Sequence, residues 1–168
     1  MIWRISRLTL QHLRHEDIPL LHKYIFADPL VMHYTFGGTV FSLSETEAFI
    51  ERYFAKSDEK IGLAPLFVRE ESRLIGFAGL LPCESVGSET YELGFVLSPT
   101  YWGKGYATEI GLAQVELAHV LGLKEVYALV NPENNASKAV LKKLEMVYLE
   151  RKQLPERGYR EIYRRKIV

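Results

Sequence analysis

The chain has 168 residues, which is long enough for one domain with a hydrophobic core and short for two. Hydrophobic residues make up 48% and charged residues 25%, a composition that excludes a disordered chain. No apolar run reaches the roughly 18 to 20 residues of a membrane span, and the N-terminus lacks the apolar stretch of a signal peptide. A single cysteine, Cys83, excludes an intrachain disulfide. We therefore predict one domain over residues 1–168, located in the cytoplasm and without a membrane partner.

Charge is distributed unevenly along the chain. The 21 basic and 21 acidic residues balance overall, but residues 138–168 contain 10 basic and only 4 acidic residues. This C-terminal segment is a candidate surface for an anionic ligand, and the alternative is a set of solvated lysines and arginines. No nucleic-acid-binding motif accompanies the basic excess, so we predict no direct nucleic-acid partner.

The N-terminal part of the sequence predicts few elements before residue 60. They are a strand over 5–13, a helix over 17–25, a loop over 33–41 and a helix over about 44–56. The Asp28-Pro29 pair ends the first helix. Ser44 and Glu47 have the spacing of a capping box, which marks the start of the second helix.

The rest of the sequence alternates strands with single helices. The predicted elements are strands 66–68 and 74–78 around a polar turn, strand 91–97, helix 108–121, strand 126–130, helix 135–144, and strands 147–154 and 159–167. In helix 135–144 the spacing places Ala136, Ala139, Val140 and Leu144 on the inner face. This order predicts an α+β fold whose central mixed, mostly antiparallel sheet is flanked by helices.

The segment from Phe95 to Glu109 is the most informative part of the sequence. It runs from a predicted strand into a predicted helix through a turn that contains Gly103 and Gly105. A helix N-terminus offers unpaired N–H groups, and glycines let the backbone approach an anion closely. The pattern is neither a P-loop nor a dinucleotide fingerprint. It indicates a phosphate-binding turn, with a purely structural strand-to-helix turn as the alternative.

Trp102, Gly105 and Ala107 resemble the (Gln/Arg)-x-x-Gly-x-(Gly/Ala) motif of the GNAT superfamily of acyl-CoA-dependent N-acetyltransferases. In that family the motif binds the pyrophosphate of coenzyme A. The string Trp-Gly-Lys-Gly-Tyr-Ala-Thr-Glu is similar to the branch of Rim-type acetyltransferases of ribosomal-protein N-termini. Residues 134–137 resemble the family's Asn-x-Ala-Ser helix, and residues 6–10 resemble the opening strand of the branch. The resemblance covers nearly the whole chain and implies the GNAT fold, with acetyl-CoA as co-substrate.

The resemblance also implies a set of cofactor-binding residues. The backbone of Phe95, Val96 and Leu97 would pair with the pantetheine arm. The residues around the pyrophosphate would be Trp102, Gly103, Lys104, Gly105, Tyr106, Ala107 and Thr108. Asn134 would bind the pantetheine or phosphate region, and Ser137 would lie near the sulfur. Lys138 or Lys142 would contact the 3′-phosphate or adenine end, with a solvated helix face as the alternative.

Amine acetylation needs a neutral amine, a polarised carbonyl and often an acid for the departing thiolate. Many family members place a tyrosine in the last helix for that last task, at the position of Leu141 here. Ser137 is therefore the candidate hydrogen-bond donor to the sulfur, and its alternative role is to begin a helix. Glu92 is the candidate general base, acting through water, and its alternative role is a salt-bridged strand carboxylate.

In the family, the acceptor enters between the first two helices and the C-terminal strands. Here that region supplies His33, Tyr34 and Phe36 beside Gly37, with a packed aromatic loop as the alternative explanation. No histidine has metal-ligand spacing, so we predict no metal. The predicted function is transfer of an acetyl group from acetyl-CoA to a protein N-terminal amine or a small amine. The alternative is a non-catalytic acyl-CoA-binding module, and edge strands near the C-terminus predict a homodimer.

Overall fold

The computed structural model describes residues 2–168. The strands are β1 (Trp3–Arg4), β2 (Leu8–Leu10), β3 (Gly62–Val68), β4 (Arg73–Pro82), β5 (Tyr91–Leu97), β6 (Glu125–Val130), β7 (Val147–Leu154) and β8 (Gly158–Lys166). The helices are α1 (Asp17–Leu21), which continues into a π-helical turn (His22–Phe26), α2 (Pro29–Met32), α3 (Leu43–Tyr53), α4 (Tyr106–Val120) and α5 (Asn135–Lys143). Within this part of the chain, no helix is long and apolar enough to cross a membrane.

All eight strands belong to one sheet, in the order β1-β2-β3-β4-β5-β6-β8-β7. Neighbouring strands are antiparallel except for β5 and β6, which run parallel because α4 connects them. The predicted α+β fold with a central, mostly antiparallel mixed sheet between helices is confirmed. That the whole chain, residues 1–168, forms one domain stays a prediction.

The two faces of the sheet are covered by different helices. Along β5 the side chains alternate, so Leu97 packs with Ile110 of α4 while Val96 packs against the cluster that contains Phe26. The helices α4 and α5 therefore cover one face, and α1 to α3 cover the other. Glu92 lies four residues before Val96 on β5 and consequently belongs to the face of α1 to α3.

The start of the chain differs from the predicted strand over 5–13. The structure has two short strands, β1 and β2, joined by a tight turn in which the Ile5 N–H donates to the Leu8 carbonyl at 2.9 Å. A loose alternation of apolar residues does not distinguish one strand from two strands of a hairpin. The hairpin places Arg7 at its tip.

The capping box of α3 is formed by Ser42 and Glu45, and the prediction of Ser44 and Glu47 was wrong. The Ser42 Oγ accepts from the Glu45 N–H at 3.2 Å, and the Glu45 carboxylate accepts from the Ser42 N–H at 2.9 Å. The sequence satisfies the capping-box spacing twice, two residues apart. The Phe41 N–H donates to a carbonyl of the π-helical turn, and this contact sets where the helix begins.

The inner face of α5 also differs from the prediction. Of the four predicted inner residues, Leu144 is buried and Val140 is partly buried, but Ala136 and Ala139 are exposed, and Leu141 is buried instead. A Cβ atom at Gly111 of α4 would lie 2.5 Å from a methyl carbon of Leu144, so the two helices pack closely at this glycine. The close approach turns Leu141 and Leu144 toward the core and leaves the two alanines in solvent.

The last strand in the sheet, β7, is exposed along most of its length. Its outer edge carries unpaired backbone groups, and Val147, Tyr148 and Leu149 are exposed apolar side chains. Such an edge is where a second copy of the chain would pair. The homodimer stays a prediction.

Glu145 ends α5 in a strained conformation. Its φ is 56°, and the N–H groups of Glu145 and Met146 donate to the carbonyls of Lys142 and Leu141, as in a Schellman motif. A left-handed conformation costs an L-residue about 1–2 kcal/mol, and glycine avoids most of this cost. We expect Glu145→Gly to raise the free energy of unfolding by about 0.5–1 kcal/mol in urea denaturation.

The matched control for this prediction is Lys142→Gly, one turn earlier in α5. Lys142 has no positive φ, so glycine brings only backbone entropy and a loss of about 0.5–1 kcal/mol is expected. Equal losses in the two variants would show that Glu145 is not strained.

Candidate active site

The turn between β5 and α4 exposes a row of backbone donors. Gly103 and Gly105 have φ values of 73° and 83°, which glycine adopts without a steric cost. Within residues 2–168, no N–H group of residues 103–108 donates to another part of the chain, and the first N–H that does is that of Glu109. Six successive free donors at the positive end of a 15-residue helix form a site for an anion.

Arg7 supports this turn from the β1–β2 hairpin. Its guanidinium Nε lies 2.7 Å from a carboxylate oxygen of Glu109, and both of its Nη atoms lie 3.2 Å from the Lys104 carbonyl oxygen. The Arg7 N–H donates to the other oxygen of Glu109 at 2.7 Å, and the guanidinium stacks over the Tyr106 ring at 4.4 Å. One side chain thus connects the turn, the first helical turn and the hairpin.

Arg7 lies in the segment 6–10 and Glu109 ends the segment 95–109, and neither residue had a predicted role. The two residues are 102 positions apart, and no local spacing links them. Two features could have suggested this contact: an arginine lies just before the first buried strand, and a carboxylate lies in the first turn of α4.

We expect Arg7→Gln to weaken acetyl-CoA binding about tenfold, measured by isothermal titration calorimetry. Glutamine removes the charged contacts to Glu109 and the Lys104 carbonyl, so the turn must be ordered when the ligand binds. The control is Arg4→Gln, an exposed arginine on β1 with no ion pair among the described residues. An unchanged dissociation constant for Arg7→Gln would remove this role.

A gap separates β5 from β6 next to the turn. The two strands are in register at one position only, Glu92 with Tyr127, although β5 continues to Leu97 and β6 continues to Val130. Beyond that position β5 keeps its pairing with β4, and no other strand in the described part of the chain pairs with its opposite edge. An open strand edge binds an extended chain that carries amide groups.

The register with β4 determines which groups of β5 point into the gap. The Ser98 N–H donates to the Ile75 carbonyl at 2.8 Å, so the peptide groups of Val96 point toward β4. Those of Phe95 and the N–H of Leu97 point into the gap, while the Leu97 carbonyl accepts from the Trp102 indole at 2.8 Å. Of the three residues predicted to pair with pantetheine, Phe95 and Leu97 present backbone groups to the gap and Val96 does not.

The gap closes at Glu92. From Leu97 to Glu92 the strand extends five residues, or about 17 Å. This is close to the length of an extended pantetheine arm whose phosphate end lies at the turn. The acyl end of such an arm reaches the position where β5 and β6 meet.

Glu92 is held by an arginine of the β7–β8 turn. Both of its carboxylate oxygens lie close to Arg157 Nη1, at 3.2 and 3.3 Å, and the Glu92 side chain is 13% exposed. Burial raises the pKa of the neighbouring Cys83 thiol to about 12, and the Glu92 carboxylate contributes to the rise. The thiol therefore stays protonated at neutral pH and is not a nucleophile.

A second arginine is buried on the same face of the sheet. Arg160 is 3% exposed, and its Nη atoms donate to the carbonyls of Phe36 at 2.7 Å and Tyr159 at 2.8 Å. Burial, together with the charge of Arg157, lowers the pKa of Arg160 to about 10. Arg157 and Arg160 were predicted only as members of the basic C-terminal segment, because Glu92 and Phe36, which they contact, lie 65 and 124 residues away.

The start of α5 uses the predicted Asn134 and Ser137 partly for capping. The Asn134 Oδ1 accepts from the Ser137 N–H at 3.1 Å, so Asn134 is the N-cap. The Ser137 hydroxyl makes no hydrogen bond within residues 2–168 and stays available to bind a ligand.

Lys138 turns toward β8 and not toward solvent. Its Nζ lies 2.8 Å from the Pro132 carbonyl and 3.4 Å from a carboxylate oxygen of Glu161.

The three aromatic residues predicted to bind the acceptor have different surroundings. The Phe36 ring packs against Phe49 and Phe41, with centroids 4.7 and 5.7 Å away. This packing agrees with the packed-loop alternative for Phe36. The Phe36 carbonyl accepts the hydrogen bond from Arg160. The rings of His33 and Tyr34 meet edge to face at 4.5 Å, and His33 is exposed.

No group of three or more histidine, cysteine, aspartate or glutamate side chains suited to a metal ion occurs within residues 2–168.

The positive charge of the basic C-terminal segment is partly neutralised, since Arg164 pairs with Glu125 and Arg165 pairs with Glu145.

Comparison with known proteins agrees with this geometry. Residues 7–147 match a family model described as an acetyltransferase (GNAT) domain. YnaD of Bacillus subtilis (strain 168), an uncharacterized N-acetyltransferase, is 33% identical to this chain over 142 residues. The alignment covers 84% of this chain and 79% of YnaD.

Two solved structures share the fold over nearly the whole chain. A GNAT-family acetyltransferase from Bacillus anthracis is 26% identical, with a TM-score of 0.80 and coverage of 97% of this chain and 96% of that one. RimL, a ribosomal-protein alpha-N-acetyltransferase in complex with coenzyme A, is 16% identical, with a TM-score of 0.74. The alignment with RimL covers 98% of this chain and 97% of that one, and at this identity the likeness concerns the fold.

Proposed function

The chain belongs to the acetyltransferase (GNAT) domain family, and from this premise we propose that it transfers the acetyl group of acetyl-CoA to a primary amine of a protein N-terminus or a small molecule. One observation carries the proposal. Six successive free N–H groups at the start of α4 lie beside the open edge of β5. The first feature suits a pyrophosphate and the second suits an arm with amide groups, a combination that acyl-CoA provides.

The binding residues follow from this arrangement. The backbone N–H groups of residues 103–108 donate to the pyrophosphate, and the backbone of Phe95 and Leu97 pairs with the arm. Asn134 keeps its Nδ2 group for the arm, because only its Oδ1 caps α5. Trp102 is half exposed and closes the end of β5 through its bond to the Leu97 carbonyl, so it shapes the turn.

When bound, acetyl-CoA supplies a thioester whose carbon–sulfur bond breaks as the acceptor nitrogen bonds to the acetyl carbon. One proton must leave that nitrogen, and one must reach the sulfur. We place Glu92 to take the first proton through a water molecule, since it lies where the gap closes. We place Ser137 to donate a hydrogen bond to the sulfur, since its hydroxyl has no other partner within residues 2–168.

A second candidate function is a non-catalytic module that binds acyl-CoA. Leu141 favours it, because this position holds the tyrosine acid in many family members and a leucine buried to 2% exposure donates no proton. The carboxylate of Glu92 is also engaged by Arg157, which a purely structural ion pair would explain equally well.

Release of free thiol from acetyl-CoA separates the two functions. We expect thiol release to increase with added amine and to stay at the hydrolysis background without amine. The panel contains a peptide with a free N-terminus, spermidine, and amino acids with their amides. Binding of acetyl-CoA without amine-dependent release from any of them supports the non-catalytic module.

A further inference from the structure

The acceptor side of the site contains more positive than negative charge. Glu92 of β5 and Arg160 of β8 lie near each other on the face covered by α1 to α3, with Arg157 between β7 and β8. Two guanidinium groups therefore accompany one carboxylate at the place where the gap closes. A second positive charge without an acidic partner attracts an anionic group of a ligand.

The charge of Arg160 is not neutralised by a carboxylate. Its two Nη atoms donate to the carbonyl oxygens of Phe36 and Tyr159, which are neutral acceptors. No acidic side chain within residues 2–168 lies within 4.0 Å of its nitrogen atoms. These contacts hold the Arg160 guanidinium in place without neutralising its positive charge.

Arg157 has donor groups that the protein does not satisfy. Its Nη1 contacts the two oxygens of Glu92, but its Nε is buried and has no hydrogen-bond partner within residues 2–168. The Arg157 side chain is still 29% exposed, and its Nη2 has no hydrogen-bond partner within residues 2–168, so a ligand can reach Nη2 although the buried Nε is inaccessible. The exposed Nη2 of a guanidinium donates a charge-assisted hydrogen bond to a carboxylate oxygen.

We infer that the amine acceptor is an α-amino acid or a close analogue, whose carboxylate binds the exposed Nη2 of Arg157 while its amine faces Glu92. The inference rests on the proposed function and narrows its substrate. Because one guanidinium contacts both Glu92 and the carboxylate, the amine and the carboxylate of the acceptor must be close neighbours. The negative and positive groups of such a molecule match the positive and negative groups of the site.

Other amines fit this site less well. A polyamine brings two or more positive charges next to Arg157 and Arg160, which repel them. A peptide N-terminus carries a neutral amide in place of the carboxylate, so it offers no negative charge to the two guanidinium groups.

The test compares each of the twenty amino acids with its amide, and with spermidine, in the thiol-release assay. We expect kcat/KM for the best amino acid to exceed that for its amide by at least about tenfold. Arg157→Gln should bring this acid-to-amide ratio close to one, without a change in the dissociation constant of acetyl-CoA. Arg151→Gln, an exposed arginine on β7, is the matched control and should keep the ratio.

The inference is overturned if amides or spermidine are the better acceptors, or if another amine of the panel is acetylated and no amino acid is. The ratio measured with the unchanged protein tests it even where Arg157→Gln fails to fold. Failure of the proposed function gives a different result, since acetyl-CoA then does not bind or no amine in any class releases thiol.

Discussion

Acetyl-CoA should bind Gly105→Glu at least about 100-fold more weakly than the unchanged protein, a loss of about 2.8 kcal/mol of binding free energy. Gly105 is the N-cap of α4, with a φ of 83°, and its N–H is one of the six free donors of the turn. A glutamate there puts a side chain and a negative charge where the pyrophosphate would bind. Its Cβ would also lie 3.3 Å from Arg7 Nη2, so the added carboxylate competes for the residue that supports the turn.

The matched control is Gly122→Glu at the opposite end of the same helix. Gly122 also has a positive φ, 75°, and no atom lies within 4 Å of an added Cβ. Both variants introduce the same residue and a similar backbone strain, so both should lose stability. Titration calorimetry should show weaker acetyl-CoA binding only for Gly105→Glu. Equal affinity in the two variants would mean that the turn does not hold the ligand.

Glu92→Gln should lower kcat about 100-fold and leave the dissociation constant of acetyl-CoA unchanged. A positioned general base contributes a factor of about 10² to 10⁴ to a rate, and glutamine keeps the size of the side chain without accepting a proton. Steady-state thiol release with a confirmed acceptor gives kcat, and calorimetry gives the affinity.

Glu125→Gln is the control for this prediction. Glu125 is also a strand carboxylate paired with an arginine, since its oxygen lies 4.0 Å from Arg164, and it lies two residues before the position where β6 meets β5. A general structural effect of losing such a pair lowers kcat in both variants. If Glu92→Gln keeps its kcat, Glu92 is the salt-bridged strand carboxylate of the alternative and substrate positioning accounts for the rate.

Local patterns predicted the elements that position the candidate site. The strand predicted over 91–97 coincides with β5, and the glycine-containing turn precedes a helix as expected, although α4 begins two residues earlier, at Tyr106. These features depend on apolar periodicity and on glycine, which act over a few residues. The capping-box spacing allowed α3 to begin at either Ser42 or Ser44, and it did not predict the correct one. The contact of Phe41 with the π-helical turn decides between them.

The polar partners in the site were beyond sequence reasoning. Arg7 meets Glu109 across 102 residues, and Arg157 meets Glu92 across 65 residues. Such pairs depend on sheet order and on the register of strands that are distant in sequence. The gap between β5 and β6 also depends on strand register. The pairing of the two strands stops at Glu92, and no residue type in either strand predicts where it stops.

Thermal unfolding with and without acetyl-CoA, with acetate as the ligand control, tests whether the turn and the gap bind acetyl-CoA. A ligand present at about 100 times its dissociation constant adds about 2.7 kcal/mol of stability, which raises the Tm of a chain of this size by about 5–10 °C. We predict that shift with acetyl-CoA and none with acetate. An unchanged Tm at millimolar acetyl-CoA would contradict the assignment of the turn and the gap to this ligand.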